Sequence, residues 1–437
     1  MVLFTSKTSS LLARLGSRVH IATYRTFQPG DIVLARHVLR PDRPILSTPL
    51  GVGKEWTLGN SSVPHESIIG QPVRTTVSPL TKRGAETNQT FILTLPSLDE
   101  YTVHRKRQAQ PIYPLDAAAI VSLADIHEDE TGACGYGRVT GTARDLETSD
   151  EELVQGLPAE GKTAVTPIVP IKMRQYLEAG TGHGSLTLAI SKAIHAANGD
   201  ARRLGDLSLR GAVLHSIDRN ASHSRTGRHN VRDFRNGMYY GDVEFHVSDS
   251  PEQWLAENEG EWRARGIPEE PAQGASAETP GSFLSGAFLD LPSPDTSVTA
   301  IAQRLIVDAP LVVFCPSVTQ IQDIVEHIRV DESIDLTLAN TVELMPGIAG
   351  GSMRAWDVRS AVIRQTGEVA RVCRPRVGTG VGGGGFVAVF RKLPHQARIK
   401  LRLMKEAKQE SKDTDSKDTE SQNAPETETL QEITTTI

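Results

Sequence analysis

The chain has 437 residues, 38% of them hydrophobic and 23% charged, enough to enclose one or two cores. No apolar run approaches the ~20 residues needed to cross a bilayer, and three scattered cysteines (Cys134, Cys315, Cys373) without a CxxC pair argue against a zinc module or a disulfide scaffold and fit a reducing compartment. The net charge of −6 sits mainly in the tail: Lys405 to Ile437 holds nine acidic residues and four lysines, leaving 44 acidic against 43 basic residues elsewhere, so charge neither requires nor excludes a nucleic-acid partner.

Residues 1–26 contain Lys7, Arg14, Arg18 and Arg25, with no acid before Asp31 and frequent serine. Leu11, Leu12, Leu15 and Val19 fall near helical spacing, so this segment has the composition of a mitochondrial presequence. Residues 27–105 read as a small β domain, with strands in "DIVLARHVL" and "TFILTLPS" and turn residues between. "PIYPLDAAAIVSLADIH", Pro111 to His127, switches to helical spacing.

A polar stretch at 128–169 has no sustained period and is expected to be a long loop or partly disordered insertion. Beyond residue 170 strands and helices alternate. "LRGAVLHSID" is a buried strand ending at Asp218, "VEFHVSD" a second ending at Asp249, "GAFLDLPSPD" a third and "APLVVFCPS" a fourth. The helical "VTQIQDIVEHIR" follows, with Val318, Ile321, Val325 and Ile328 on one face. A second polar insertion is expected at 257–281, and "ARVCRPRVGTGVGGGGFVAVFRK" reads as two strands joined by a Gly-rich bend. The alternation implies an α/β domain with a mainly parallel sheet over 106–404, and the acidic tail 405–437 is expected to be disordered.

The chemistry concentrates in "YLEAGTGHGSLTLAI", Tyr176 to Ile190. Gly180, Gly182 and Gly184 have neither the G-x-G-x-x-G spacing of a dinucleotide loop nor the lysine of a P-loop, and Glu178 ahead of them would repel phosphate. Alternating glycines suit close backbone approach to an uncharged or cationic nucleoside. Asp218, at a strand end, is placed to accept both hydroxyls of a ribose, and Asp249 to accept from an adenine amino group. Three acids facing one site would favour a sulfonium cation. "HRKRQ", His104 to Gln108, is the clearest basic cluster of the body, suited to RNA phosphates.

Several ordered motifs then carry a resemblance. "SIIGQPVRTTV", "FILTLPSLDEYTVHRKRQAQPIYPLDAAAI", "EAGTGHGSLT", the Asp-Leu-Pro-Ser-Pro at Asp290 to Pro294 and "FCPSVTQIQDIVEHIR" resemble the tRNA (adenine-58-N1)-methyltransferase family over most of Phe27 to Lys392. The resemblance implies a Rossmann-like class I methyltransferase domain behind a small N-terminal β domain, with S-adenosylmethionine as methyl donor and tRNA as substrate. It implies that Glu178, Gly180, Thr181, Gly182, His183, Gly184 and Ser185 form the first cofactor loop, that Asp218 binds the cofactor ribose and Asp249 its adenine, and that Asp290 faces the target base. Gln110 and Tyr113 would line the cofactor and base pocket, and His104, Arg105, Lys106 and Arg107 would meet the RNA. No metal or membrane is implied. A homotetramer, or a heterotetramer with a non-catalytic tRNA-binding subunit, is expected, in mitochondria or alternatively in the nucleus. A degenerate tRNA-binding subunit and a methyltransferase of another RNA, such as ribosomal RNA, are the competing readings. The chain departs from the family at Asp295, where an aromatic residue usually follows Pro-x-Pro.

Overall fold

The structure, a computed structural model, describes residues 25–126, 173–265 and 281–345, then 347–348, 356–362, 366–375, 381–382, 384–394 and the single positions 397 and 404. Residues 1–24 of the presequence-like segment, the 128–169 insertion and the acidic tail lie outside the described residues.

The N-terminal domain contains β1 (Leu34–His37), β2 (Arg40–Leu46), β3 (Glu55–Leu58), β4 (Ser61–Pro64), β5 (Thr75–Val77) and β6 (Phe91–Thr94). A four-stranded sheet has the order β2-β1-β6-β5, and β3–β4 is a separate hairpin. Period-two alternation turns Trp56, Leu58, Phe91 and Leu93 inward onto Phe27, Val33 and Leu50. Ser97 begins α1 (Leu98–His104) with a capping box. Tyr101, fully buried, joins the second domain's core and donates its hydroxyl hydrogen to the Asn230 carbonyl at 2.8 Å.

The second domain runs α2 (Pro114–Ala124), β7 (Arg174–Ala179), α3 (Ser185–Ile194), α4 (Gly199–Leu204), β8 (Ala212–Asp218), α5 (Ala221–Asp233), β9 (Val243–Val247), α6 (Pro251–Arg265), β10 (Leu284–Leu289), α7 (Asp295–Ala302), β11 (Pro310–Cys315), α8 (Val318–Val330), β12 (Leu336–Leu344), β13 (Gly347–Ile348), β14 (Trp356–Val362), β15 (Val369–Pro375), β16 (Val381–Gly382) and β17 (Gly385–Lys392). Seven strands form one sheet in the order β12-β17-β11-β10-β7-β8-β9. Strands β9, β8, β7, β10 and β11 pair in parallel, while β17 is antiparallel to both β11 and β12. Successive residues feed opposite faces: Leu177, Ala287 and Val313 meet α6, α7 and α8, whereas Tyr176, Phe288 and Val312 meet α2, α3 and α5. Covering both faces makes β8 buried at all seven positions. The expected Rossmann-like domain is present, and its strand order reverses between β7 and β10, where open α/β sheets place their ligands.

Three expectations are corrected. The 257–281 insertion begins as helix: α6 continues to Arg265 because Trp254, Leu255 and Trp262 recur at helical spacing and bury in the core. In α8 the buried stripe is Ile321 and Ile324, with Ile328 packed beside it; Val318 and Val325 are exposed at its margins. The two strands flanking the glycine run join different sheets, β15 with β14 and β17 with β11 and β12. We predict that Trp262→Ala lowers unfolding free energy by about 3 kcal/mol in a denaturant titration, as expected for emptying a core tryptophan site. A Trp262 in a polar loop would give almost no change.

Candidate functional site

The turn after β7 is shaped by close approach. Gly180 (φ +102°), Gly182 (φ +48°) and Gly184 (φ +81°) all adopt left-handed backbone. A Cβ at Gly180 would collide with the Asp290 carbonyl oxygen, and one at Gly184 would lie 2.9 Å from the Cα of Gly227 in α5. Gly180 N–H donates to the Ile217 carbonyl at 2.8 Å, and Asp290 N–H to the Ala179 carbonyl at 2.9 Å. The ends of β7, β8 and β10 are thereby drawn together around one opening.

Beneath the turn lies a directional hydrogen-bond relay. Ser216 and Thr187 hydroxyls both donate to Glu178 Oε2 at 2.6 Å. The 2.7 Å contact between Thr181 and Ser216 must then have Thr181 as donor. Glu178 is fully buried, its Oε1 has no partner, and burial pushes its carboxyl up to about 8. Glu178 is therefore a buried support and not one of three acids facing the opening. Thr181, His183 and Ser185 are buried with it. Burial also lowers His183 to about 4, so it stays neutral at physiological pH.

The opening is a cleft of about 590 Å³. Of the residues expected at the site, Gly180, Gly182, Asp218, Asp249, Asp290 and Gln110 lie on its wall. Asp218 Oδ2 accepts from Gly182 N–H at 2.9 Å and Oδ1 from Asn220 N–H at 2.8 Å, leaving further lone pairs on a carboxylate fixed by backbone. Asp290 is pushed up to about 6 by burial and by the Asp218 charge.

Tyr113 is not on this wall. It precedes the first residue of α2, and Arg107 stacks over its ring at 5.4 Å and donates to its hydroxyl at 3.3 Å. Arg105 is committed internally, donating to Asn230 Oδ1 and Asp233 Oδ2 at 3.0 Å each; His104, Lys106 and Arg107 remain exposed. Sequence reasoning missed Asn220 and His223, which line the cleft from the start of α5. An Asn after a strand-end Asp and before Ala-Ser is a helix-cap signal, and Asn220 Oδ1 does accept from Ser222 N–H. Among the described residues no group of three or more His, Cys, Asp or Glu is placed to hold a metal ion.

No model of a known protein family matches the chain. Two curated relatives, the tRNA (adenine(58)-N(1))-methyltransferases TrmI of two strains of Thermus thermophilus, are each 26% identical over 317 residues, covering 71% of this chain and 83% of the relative. Among solved structures, an S-adenosylmethionine-dependent O-methyltransferase from Thermotoga maritima superposes with a TM-score of 0.48 at 14% identity, covering 86% of this chain and 98% of that one. The tRNA methyltransferase TrmI from Aquifex aeolicus gives 0.45 at 16% identity, covering 85% and 100%.

A raised carboxyl costs the fold stability when it ionises. Asp290 contributes fully below the ordinary pKa near 3.8, and the contribution is lost as pH rises through about 6. We predict that Asp290→Asn is more stable than the unaltered chain above pH 6, by roughly 1–3 kcal/mol. The gain should vanish towards pH 4 in thermal melts taken across that range. A pH-independent difference would show that the carboxyl is not strained by its surroundings.

Proposed function

We propose that the chain is an S-adenosylmethionine-dependent methyltransferase that modifies N1 of adenine 58 in the tRNA T-loop. The carrying observation is the 26% identity to the Thermus thermophilus enzymes over 83% of their length. The motifs resembling that family fall at the strand ends that build the cleft.

The residues present fit the methyl donor. Its nucleoside would lie against a turn that only glycine at 180 allows, and on the cleft wall the carboxylates of Asp218, Asp249, Glu252 and Asp290 outnumber the single arginine, Arg219. Asp218 would hold the ribose hydroxyls and Asp249 the adenine amino group, while Gly180, Gly182 and Gln110 complete the wall. When bound, S-adenosylmethionine supplies an electrophilic methyl on a sulfonium. Asp290 is ionised above about pH 6 and then accepts from the N6 amino group of the target base. That bond orients N1, stabilises positive charge developing on the ring, and gives the departing proton an acceptor at a carboxylate oxygen. Glu178 holds Thr187 and Ser216 and, through Ser216, Thr181, fixing the loop from below.

We further infer a multisubunit enzyme, homotetrameric or paired with a tRNA-binding subunit. The hairpin β14–β15 exposes Val358, Val362 and Val369 on one face, and a two-stranded hairpin is marginal alone in water. The basic, acid-free composition of residues 1–26 supports mitochondrial import.

Incubation of the purified chain with unmodified tRNA and labelled S-adenosylmethionine, with the product mapped by mass spectrometry, should give 1-methyladenosine in the T-loop. Methyl transfer to another base or to ribosomal RNA would overturn the assignment. Asp290→Ala should cut transfer at least ~100-fold with donor binding retained in calorimetry, and the unaltered rate should rise with pH through about 6. Retained transfer in the variant removes Asp290 from the chemistry.

A further inference from the structure

We propose that the outer face of α5, extended by Lys106 and Arg107, is the surface that grips the phosphate backbone of the RNA beside the cleft. This rests on the RNA-modifying function inferred above. The sequence of α5, "ASHSRTGRHNVRD", contains one acid, Asp233. Arg225, Arg228, His229 and Arg232 recur at three- and four-residue spacing, share one face of the helix and are all exposed. Ser224, Gly227 and Val231 turn the opposite side into the protein.

The cations are largely uncompensated. Asp233 is shared between Arg105 at 3.0 Å and Arg232 at 2.8 Å. Among the described residues no carboxylate pairs with Arg219, Arg225 or Arg228. Arg228 instead donates from Nε to the Tyr240 hydroxyl at 2.8 Å and lies over that ring, which keeps its charge unneutralised on the surface. Other helices behave differently: Arg265 faces Glu261 in α6, and Arg329 faces Glu326 in α8. A solvated, self-compensated face has acids interleaved, and α5 does not.

Position ties this face to the cleft. Arg219 and His223, at the head of α5, lie on the cleft wall. The segment 105–110 runs along the flank of α5. Arg105 is bound to Asn230 and Asp233, Gln108 accepts from the Thr226 hydroxyl, and Ala109 and Gln110 reach the cleft. Lys106 and Arg107 therefore sit beside the α5 stripe, forming one basic surface that starts at the cleft mouth. Thirteen residues of helix span about 20 Å, long enough to meet several phosphates of an RNA strand. Guanidinium groups match phosphate oxygens in paired geometry.

The test is the salt dependence of RNA binding by the full chain. Arg225→Gln/Arg228→Gln/Arg232→Gln should weaken binding of unmodified tRNA at least ~10-fold near 0.1 M salt and flatten the log K against log[salt] slope by about two to three. S-adenosylmethionine binding, measured by calorimetry, should not change. Arg225→Glu alone alters an exposed side chain and guards against a folding defect; it should weaken tRNA binding with an unchanged melting temperature. An unchanged slope and affinity in both variants overturns the inference, as does a loss of subunit assembly with tRNA affinity intact, which would make the face a protein interface. The same titration on an unrelated hairpin RNA separates the two proposals. Phosphate contacts carry no sequence, so the slope difference should persist there even if adenine 58 is the wrong target. If the unaltered chain binds neither RNA, the surface inference fails.

Discussion

The site depends on how tightly the turn after β7 is pressed against its neighbours. A side chain at Gly180 would occupy the position of the Asp290 carbonyl, and one at Gly184 would press on Gly227 in α5. Because these positions carry no Cβ, the ends of β7, β8 and β10 converge. Gly182 can then present its N–H to Asp218 and fix that carboxylate. Substituting these glycines adds backbone strain to the steric conflict, since all three have positive φ.

Convergence also concentrates negative charge. Asp218, Asp249 and Asp290 border one cleft, and Glu178 lies buried under its floor. The protein answers the repulsion in two ways. Glu178 is held neutral at physiological pH by burial, while Asp218 is stabilised by two backbone N–H groups. Asp290 receives neither treatment fully and is left with a carboxyl near 6. A carboxyl strained by its surroundings at the switch point is what the role proposed for Asp290 requires. A sulfonium cation would relieve this repulsion, whereas a phosphate would add to it.

Positive charge is distributed by a different logic. The contiguous run at His104 to Gln108 stands out in the sequence, yet folding takes Arg105 out of it to bind Asn230 and Asp233. The larger basic face on α5 is spread over helical spacing and interrupted by Thr226, Gly227, Asn230 and Val231, so it becomes one surface only on the folded helix. Similarly, Tyr113 directly follows the buried Ile112 but is held by Arg107 away from the cleft wall. Linear proximity to a motif is a weak guide to side-chain direction, because one residue along an extended segment reverses the face.

The sequence by itself determined the α/β class, the place of the glycine turn, and the acids at or just past strand ends: Asp218 closes β8, Asp290 follows β10, and Asp249 lies just beyond the end of β9 at Val247 rather than closing it. These are local properties: apolar runs of strand length, glycines that only a left-handed turn explains, and acids where a buried strand must stop. Tertiary structure alone decided which acids share the cleft and which one supports it from below. It also placed α6 across the start of a polar-looking stretch, anchored by Trp262, and set Lys106 and Arg107 beside α5. The physical reason is that desolvation and hydrogen-bond partners come from residues distant in the chain. Ser216, Asn230 and Gly227 act on the turn and on Arg105 only once the strands and helices that carry them have packed.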